Sequence, residues 1–221
     1  MNVPFSGFTT WLFDLDGTLI DSEPGVVACM KQTALDMGGK VTDEIELKAS
    51  FGRGLINTLR PWIPESVSID DAIAQYQKNF PRLVQQHLRL IDGVAELLEL
   101  LSIRNIPMGV VTGNKHFEAD GIFEQLGIGH YFDAVICADS IPFQKPSPEP
   151  VLEALKRLER SLEGSVFIGD SEHDIRAGRL AGVKTIAIRG GSSPEDRLLA
   201  AEPDFVVESI RDVLNKLGAM K

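Results

Sequence analysis

The sequence predicts an α/β protein, a doubly wound parallel sheet with helices on both faces and a helical insertion near its start. Two patterns carry that expectation. From about residue 90 onward, short β-rich runs alternate with longer stretches of helical period. Neighbouring parallel strands need a long crossover, usually a helix, so such alternation implies a parallel sheet buried on both faces. Between about Asp21 and Arg89 the alternation stops, and no convincing β-rich run occurs there.

The first expected strand runs from Trp11 to Leu15. Others follow at Met108 to Thr112, Ala134 to Ala138, Ser165 to Ile168, Thr185 to Ile188 and Asp204 to Val207. Between them Val94, Leu97, Leu98 and Leu101 recur at helical spacing, as do Val151, Leu152, Leu155 and Leu158. Ser147 before Pro148 is expected to cap the second of these helices, with proline at its first position, where a missing N–H is harmless. Ser209 to Leu217 reads as a covering helix. Inside the insertion, Val26, Val27, Met30, Ala34 and Met37 can share one helical face, ended by Gly38 and Gly39. Ile73, Tyr76, Phe80 and Leu83 form a second stripe, and Pro81 is expected to kink that helix or begin a new one.

Composition narrows the function classes. The 221-residue chain holds 22 Lys and Arg against 32 Asp and Glu, a net charge of −10. Nucleic-acid binders normally show the opposite balance. An acidic chain is also repelled by anionic membrane surfaces, and no uncharged apolar run approaches the ~18 residues of a spanning helix. No Lys or Arg precedes Lys31, so no secretory leader is expected. Cys137 lies in an apolar stretch and reads as a buried, inert thiol, in keeping with a reducing, cytoplasmic setting.

The chemistry-bearing residues fall at the predicted strand ends, where ligands of open α/β sheets gather. In Trp11-Leu-Phe-Asp-Leu-Asp-Gly-Thr-Leu19, period-two geometry points Asp14 and Asp16 the same way, ~6.6 Å apart along the chain. Gly17 permits a tight path after them, and Thr18 can hold the turn with its hydroxyl. Thr112, Gly113 and Asn114 offer a hydroxyl and N–H groups before a helix, suited to phosphate oxygens. Lys145 is fixed between Gln144 and Pro146 ahead of another helix, and Asp170 with Asp174 follow the apolar run Val166 to Ile168. Four carboxylates crowded with one lysine would repel or become partly protonated unless a divalent cation neutralised them. Hard oxygen donors indicate Mg²⁺. His116 and His173 read as exposed helix residues, because scattered histidines make no metal-ligand spacing.

Over nearly its whole length the chain resembles the haloacid dehalogenase-like hydrolase superfamily, and within it the phosphoglycolate phosphatase group with a helical cap. The resemblance rests on Asp14-x-Asp-Gly-Thr18, Thr112, Lys145, Asp170-Ser-Glu-x-Asp-Ile175 and Ala181-Gly-Val183. It implies a Rossmann-like core of residues 1–20 and 90–221, a cap of residues 21–89, and a small phosphorylated metabolite as partner. It further implies Asp14 as nucleophile, Asp16 as acid/base, Asp14, Asp16 and Asp170 as Mg²⁺ ligands, and Asp174 as their support. Asp14, at an ordinary pKa near 3.9, is expected to be ionised without a helper base.

Spacing agrees with one early insertion. From Asp16 to Thr112 is 96 residues, where a βαβ connection needs ~30, leaving roughly 65 for an inserted domain. Within it Arg53, flanked by Gly52 and Gly54, suits a loop that delivers a cation to an anionic substrate. A sugar phosphomutase or a pyrophosphatase would use the same core residues, and a non-catalytic phosphate-binding protein would lack the nucleophile or the acid.

Overall fold

The computed structural model describes residues 5–50, 55–84 and 87–218. The chain forms two compact units, one of Met1–Asp21 with Leu90–Lys221 and one of Ser22–Arg89.

In the first unit, the described residues form a parallel six-stranded sheet of order β5-β4-β1-β6-β7-β8. The strands are β1 (Thr10–Phe13), β4 (Met108–Val111), β5 (Ala134–Ile136), β6 (Ser165–Gly169), β7 (Lys184–Ile188) and β8 (Phe205–Val207). Two further short strands, β2 (Ile20–Asp21) and β3 (Arg89–Leu90), pair with each other. Strands β1, β4 and β6 are buried throughout, which is why they read as continuous apolar runs rather than alternating ones.

The two sheet faces differ by the parity of β1. Leu12 joins Val111, Ile136 and Phe167 under α7 (Glu149–Arg157) and α8 (Glu172–Ala181), whose Val151, Ala154, Leu155 and Ala177 fill the same layer. Trp11 and Phe13 point the opposite way. Their rings stack with centroids 6.1 Å apart, and Phe13 meets Phe132, which meets Phe123 of α6 (His116–Leu126). Further along the chain, α5 (Val94–Ile103) packs on α10 (Ile210–Gly218).

Chain order places the site. From β1 the chain goes to β4 and β5 on one side, then crosses to β6, β7 and β8 on the other. The reversal at β1 opens a crevice at the carboxyl ends of β1, β4 and β6. Register brings those ends level, with Phe13 paired to both Val110 and Ile168.

Several local expectations change. Ser147 does not cap α7: Pro148 holds that position, and the Ser147 hydroxyl donates to the Glu149 carboxylate instead. Leu152 is 40% exposed, since α7 turns Pro150, Val151, Ala154 and Leu155 inward. A short helix, α9 (Glu195–Ala200), adds Leu198 to the core beside Ile175 and Ala187. Among the described residues no helix is long and apolar enough to cross a membrane.

The second unit is helical: α1 (Glu23–Asp36), α2 (Glu44–Ala49), α3 (Leu55–Leu59) and α4 (Ile69–Leu83). α1 packs on α4, burying Val27, Met30 and Ala34 along with Tyr76 and Phe80. Val26 and Met37 are only half-buried, and Cys29 and Thr33 take inner positions instead. α4 continues through Pro81 to Leu83. Pro81 sits in the last turn, and Gln77, whose carbonyl loses an N–H partner, is exposed to water. Gly39 is required by contact: a Cβ there would lie 2.0 Å from the Trp62 carbonyl oxygen.

Asn79 is the buried polar link of this unit. Its side-chain amide donates to Thr33 Oγ1 at 3.2 Å and Asp36 Oδ2 at 2.9 Å. Gln32 and Gln75 also donate to Asp36, each at 2.7 Å. These amides, Asn79 first, hold the Asp36 carboxyl below the usual carboxylate range. Arg53, expected to supply a cation from this unit, lies outside the described residues.

Candidate active site

Asp14 follows β1 directly, its N–H donating to the Ile168 carbonyl at 2.8 Å, so the β1–β6 ladder carries on to the aspartate itself. Asp170 follows β6, and Asp174 lies in the first turn of α8. One carboxylate oxygen from each of Asp14, Asp170 and Asp174 lies within 4.8 Å of the others, and all three residues are buried. Lys145 reaches this group from the loop after β5. Its Nζ is 2.5 Å from Asp14 Oδ1, 2.6 Å from Asp174 Oδ1 and 3.0 Å from the Val111 carbonyl oxygen.

The local fold fixes each acid. Ser171 caps α8, and its N–H and hydroxyl both donate to Asp174 Oδ2, at 3.0 and 2.5 Å. Asp174 Oδ1 takes no well-directed hydrogen bond, although it faces the lysine. Asp170 accepts from the Ser192 N–H at 2.5 Å and from the Thr18 hydroxyl at 3.4 Å. Thr18 therefore braces a neighbouring strand end rather than its own turn. Gly17 has φ +80°, and a Cβ there would lie 2.4 Å from Asp170 Oδ2, so both backbone angle and space demand glycine.

Asp16 goes elsewhere. Its Oδ2 accepts from the Asn114 side-chain amide at 2.6 Å, and its carboxylate is not among the three that converge. Thr112 is buried, pairs through its N–H with the Ile136 carbonyl, and accepts the Asn114 N–H on its hydroxyl at 3.1 Å. Gly113 is exposed. The loop after β4 thus brings Thr112 and Asn114 to the acid pair from the far side of β1.

Electrostatics define what this arrangement lacks. Burial pushes the Asp14 carboxyl well above the ordinary carboxylate range, with Asp174 and Asp170 acting in the same direction and Lys145 opposing them. The ordinary pKa expected of Asp14 is thus displaced upward, because desolvation outweighs the ammonium beside it. Asp170 is pushed up to about 6, by burial first and then by Asp174. Burial works against the Lys145 ammonium, but Asp14 and Asp174 outweigh it and hold its pKa above the usual lysine value. Three carboxyl groups thus converge on one ammonium, too little positive charge to keep all of them ionised. A hard dication matches that deficit in both charge and donor type.

Residues 11–188 match the family of haloacid dehalogenase-like hydrolases. The chain belongs to that family. A pyrophosphatase, PpaX, from Oceanobacillus iheyensis is 30% identical over 95% of this chain and 96% of its own length. A phosphoglycolate phosphatase from Salmonella choleraesuis is 29% identical over 93% of this chain and 91% of its own length. The solved structure of a haloacid dehalogenase-like family hydrolase of Streptococcus pneumoniae superposes with a TM-score of 0.81 at 26% identity, covering 95% of this chain and 98% of that one. As a member of this family the protein is a hydrolase of phosphoric monoester bonds, with an α/β core and an inserted helical cap.

Sequence reasoning missed four contributors to the site: Ser171, Ser192, the Val111 carbonyl and the Asn114 to Asp16 bond. Ser192 had a signal in the Gly190-Gly191-Ser192 run after an expected strand. The Val111 carbonyl had none, since its use depends on where Lys145 arrives.

Proposed function

We propose that this protein is a Mg²⁺-dependent phosphatase of a small, phosphoglycolate-like phosphomonoester, working through an aspartyl-phosphate on Asp14. The observation that carries the reading is the buried trio of Asp14, Asp170 and Asp174 with Lys145 as the one cation paired to it among the described residues, too little positive charge to keep all three acids ionised. The all-oxygen donor set fits magnesium, which Asp14 and Asp170 would hold with Asp174 in support, while the Asp16 carboxylate, expected from the sequence as a further ligand, is turned to Asn114 and serves in proton transfer. Bound there, the ion would supply positive charge that favours the ionised Asp14 and offsets charge on the transferring phosphoryl oxygens.

The remaining chemistry belongs to the chain. Lys145, the Thr112 hydroxyl, the Gly113 N–H and the Asn114 side chain hold the phosphate oxygens. The Asp14 carboxylate attacks phosphorus, the ester P–O bond breaks, and Asp16 gives its proton to the departing alkoxide. Asp16 then takes a proton from water as that water attacks the phosphoryl-aspartate, releasing phosphate and restoring Asp14. Asn114, bonded to Asp16, holds that acid/base in place.

Support for phosphoglycolate as substrate class comes from Asp170-Ser-Glu-x-Asp-Ile175 with Ala181-Gly-Val183, and from the Salmonella relative. The Oceanobacillus relative favours pyrophosphate as a second reading. Residues 22–89 act as the cap in either case, with Arg53 as the cation for the rest of the substrate. A panel of phosphoglycolate, pyrophosphate, sugar phosphates and nucleotides, assayed for phosphate release with and without Mg²⁺, decides between them. Fastest Mg²⁺-dependent release from phosphoglycolate is expected. Preferred cleavage of pyrophosphate would replace the substrate, and conversion of glucose 1-phosphate to glucose 6-phosphate without phosphate release would indicate a mutase. No release from any compound by folded protein would end the phosphatase assignment.

A further inference from the structure

Outside the acid cluster, a second set of ligand-type side chains converges at the carboxyl end of the sheet. His116 opens α6, while Cys137 and Asp139 follow β5. A donor atom from each lies within 4.8 Å of the other two. The thiol belongs to a residue only 2% exposed, whereas the side chains of His116 and Asp139 are 48% and 45% exposed. One soft donor from a buried residue and two harder ones from exposed side chains thus lie together.

The surroundings favour a cation there. Asp139 Oδ1 lies 2.7 Å from His116 Nδ1 and also accepts the His116 N–H at 3.0 Å. The other ring nitrogen, Nε2, lies 3.4 Å from Ser140 Oγ, the type of outer partner that fixes a metal-bound imidazole. Ser140 Oγ also accepts the Cys137 N–H at 2.8 Å. Burial, and after it the Asp139, Asp120 and Glu118 carboxylates, push the thiol up to about 12 with Arg157 opposing, and a bound cation would offset the carboxylates' part of that shift. No hydrogen bond occupies the thiol among the described residues.

We infer that His116, Cys137 and Asp139 form a second metal site, separate from the acidic cluster, that takes a borderline divalent ion of the zinc class. Mixed sulfur, nitrogen and oxygen donors select zinc or cobalt over magnesium or calcium. Three protein ligands with an open fourth position suit a tetrahedral ion, whose donors stand ~3.5 Å apart, so side-chain rotation of about 1 Å closes the set. The ion would tie the start of α6 to the exit of β5. These two segments are already joined by the Ala138 N–H to the Asn114 carbonyl at 2.8 Å. The zinc-class ion would therefore stiffen the loop carrying Thr112 and Asn114.

The test is a Co²⁺ titration of the reduced, full-length protein in excess Mg²⁺, followed by absorption spectroscopy. One Co²⁺ per chain is expected, with a thiolate-to-cobalt charge-transfer band in the near ultraviolet, intense tetrahedral bands in the visible, and displacement by one equivalent of Zn²⁺. The charge-transfer band should vanish in Cys137→Ala and persist in Cys29→Ala. His116→Ala and Asp139→Ala change exposed side chains, keep the fold, and should weaken Co²⁺ binding at least ~10-fold. Absence of the band in wild type, its survival in Cys137→Ala, its loss in folded Cys29→Ala, or unchanged affinity in both surface variants would each overturn the site.

Discussion

Asp36 closes α1 in the helical unit and Asp14 follows β1 in the sheet unit, and the two aspartates live under opposite electrostatic regimes. Asp36 is exposed and receives three side-chain amides, so its charged form is favoured. Asp14 is buried beside two other acids, so its charged form is opposed. Neutral donors around a surface carboxylate stabilise the fold at neutral pH without any ligand. Crowded acids in the interior hold repulsion that a cation can relieve, and such unbalanced groups mark sites of chemistry.

The two regimes also differ in the sign of their pH dependence. A lowered pKa, as for Asp36, contributes stability above the ordinary carboxylate range that is lost as pH falls through the lowered value. A raised pKa, as for Asp170, contributes stability below the ordinary value that is lost as pH rises through about 6. Without a divalent ion, the sheet unit is therefore strained at neutral pH while the helical link is at full strength.

The sharpest way to break the contrast is Asp14→Asn, which removes both a repelling charge and the proposed nucleophile. Turnover should drop by about 10⁴-fold or more, while calorimetry of the metal-free protein shows a higher melting temperature. A slow, destabilised variant would instead mark Asp14 as a structural acid. Lys145→Met comes next: with Asp14 and Asp174 left facing each other, metal-free stability in urea should fall by about 3–5 kcal/mol, and Mg²⁺ should restore part of it. A neutral result would show that the lysine does not balance those acids.

Glu118 extends the contrast beyond the cluster. Burial, opposed by the Lys115 N–H and aided by Asp16, pushes its carboxyl up to about 7. Its contribution is full below about pH 4.5 and is lost as pH rises through about 7, a swing on the order of 3 kcal/mol. In EDTA, Glu118→Gln should match wild type at pH 4 and exceed it at pH 8 by about that amount; parallel curves would refute the burial account. The smallest effect belongs to the helical unit. Asn79→Ala should cost about 1–2 kcal/mol, return the Asp36 titration seen by NMR toward an ordinary value, and leave the Mg²⁺ response untouched.

Much of the sheet could be read from local pattern. Phe13, Val110 and Ile168 lie in apolar runs whose length and composition are intrinsic to each segment, and the paired strands follow from them. Thr112 and Asp170 stand where such a run meets a turn, whereas Lys145 is marked by the proline that follows it ahead of a helix and Asp174 by its place four residues after Asp170. Leu152 misled because helical spacing shows an apolar stripe but not its edges. Ser147 misled because a cap depends on which partner its hydroxyl meets, here the Glu149 carboxylate.

What the sequence by itself determined is the alternation of strands and helices, the early insertion and the residue types at the strand ends, all consequences of periodicity and backbone preference within a few residues. Only the tertiary structure decided which acids meet. Asp174 rather than Asp16 joins Asp14 and Asp170, Asn114 takes Asp16, and Cys137 lies beside His116 and Asp139. Those pairings depend on strand order and register, which bring together residues far apart in the chain. The resulting burial, which sets their charge, is a property of the packed whole.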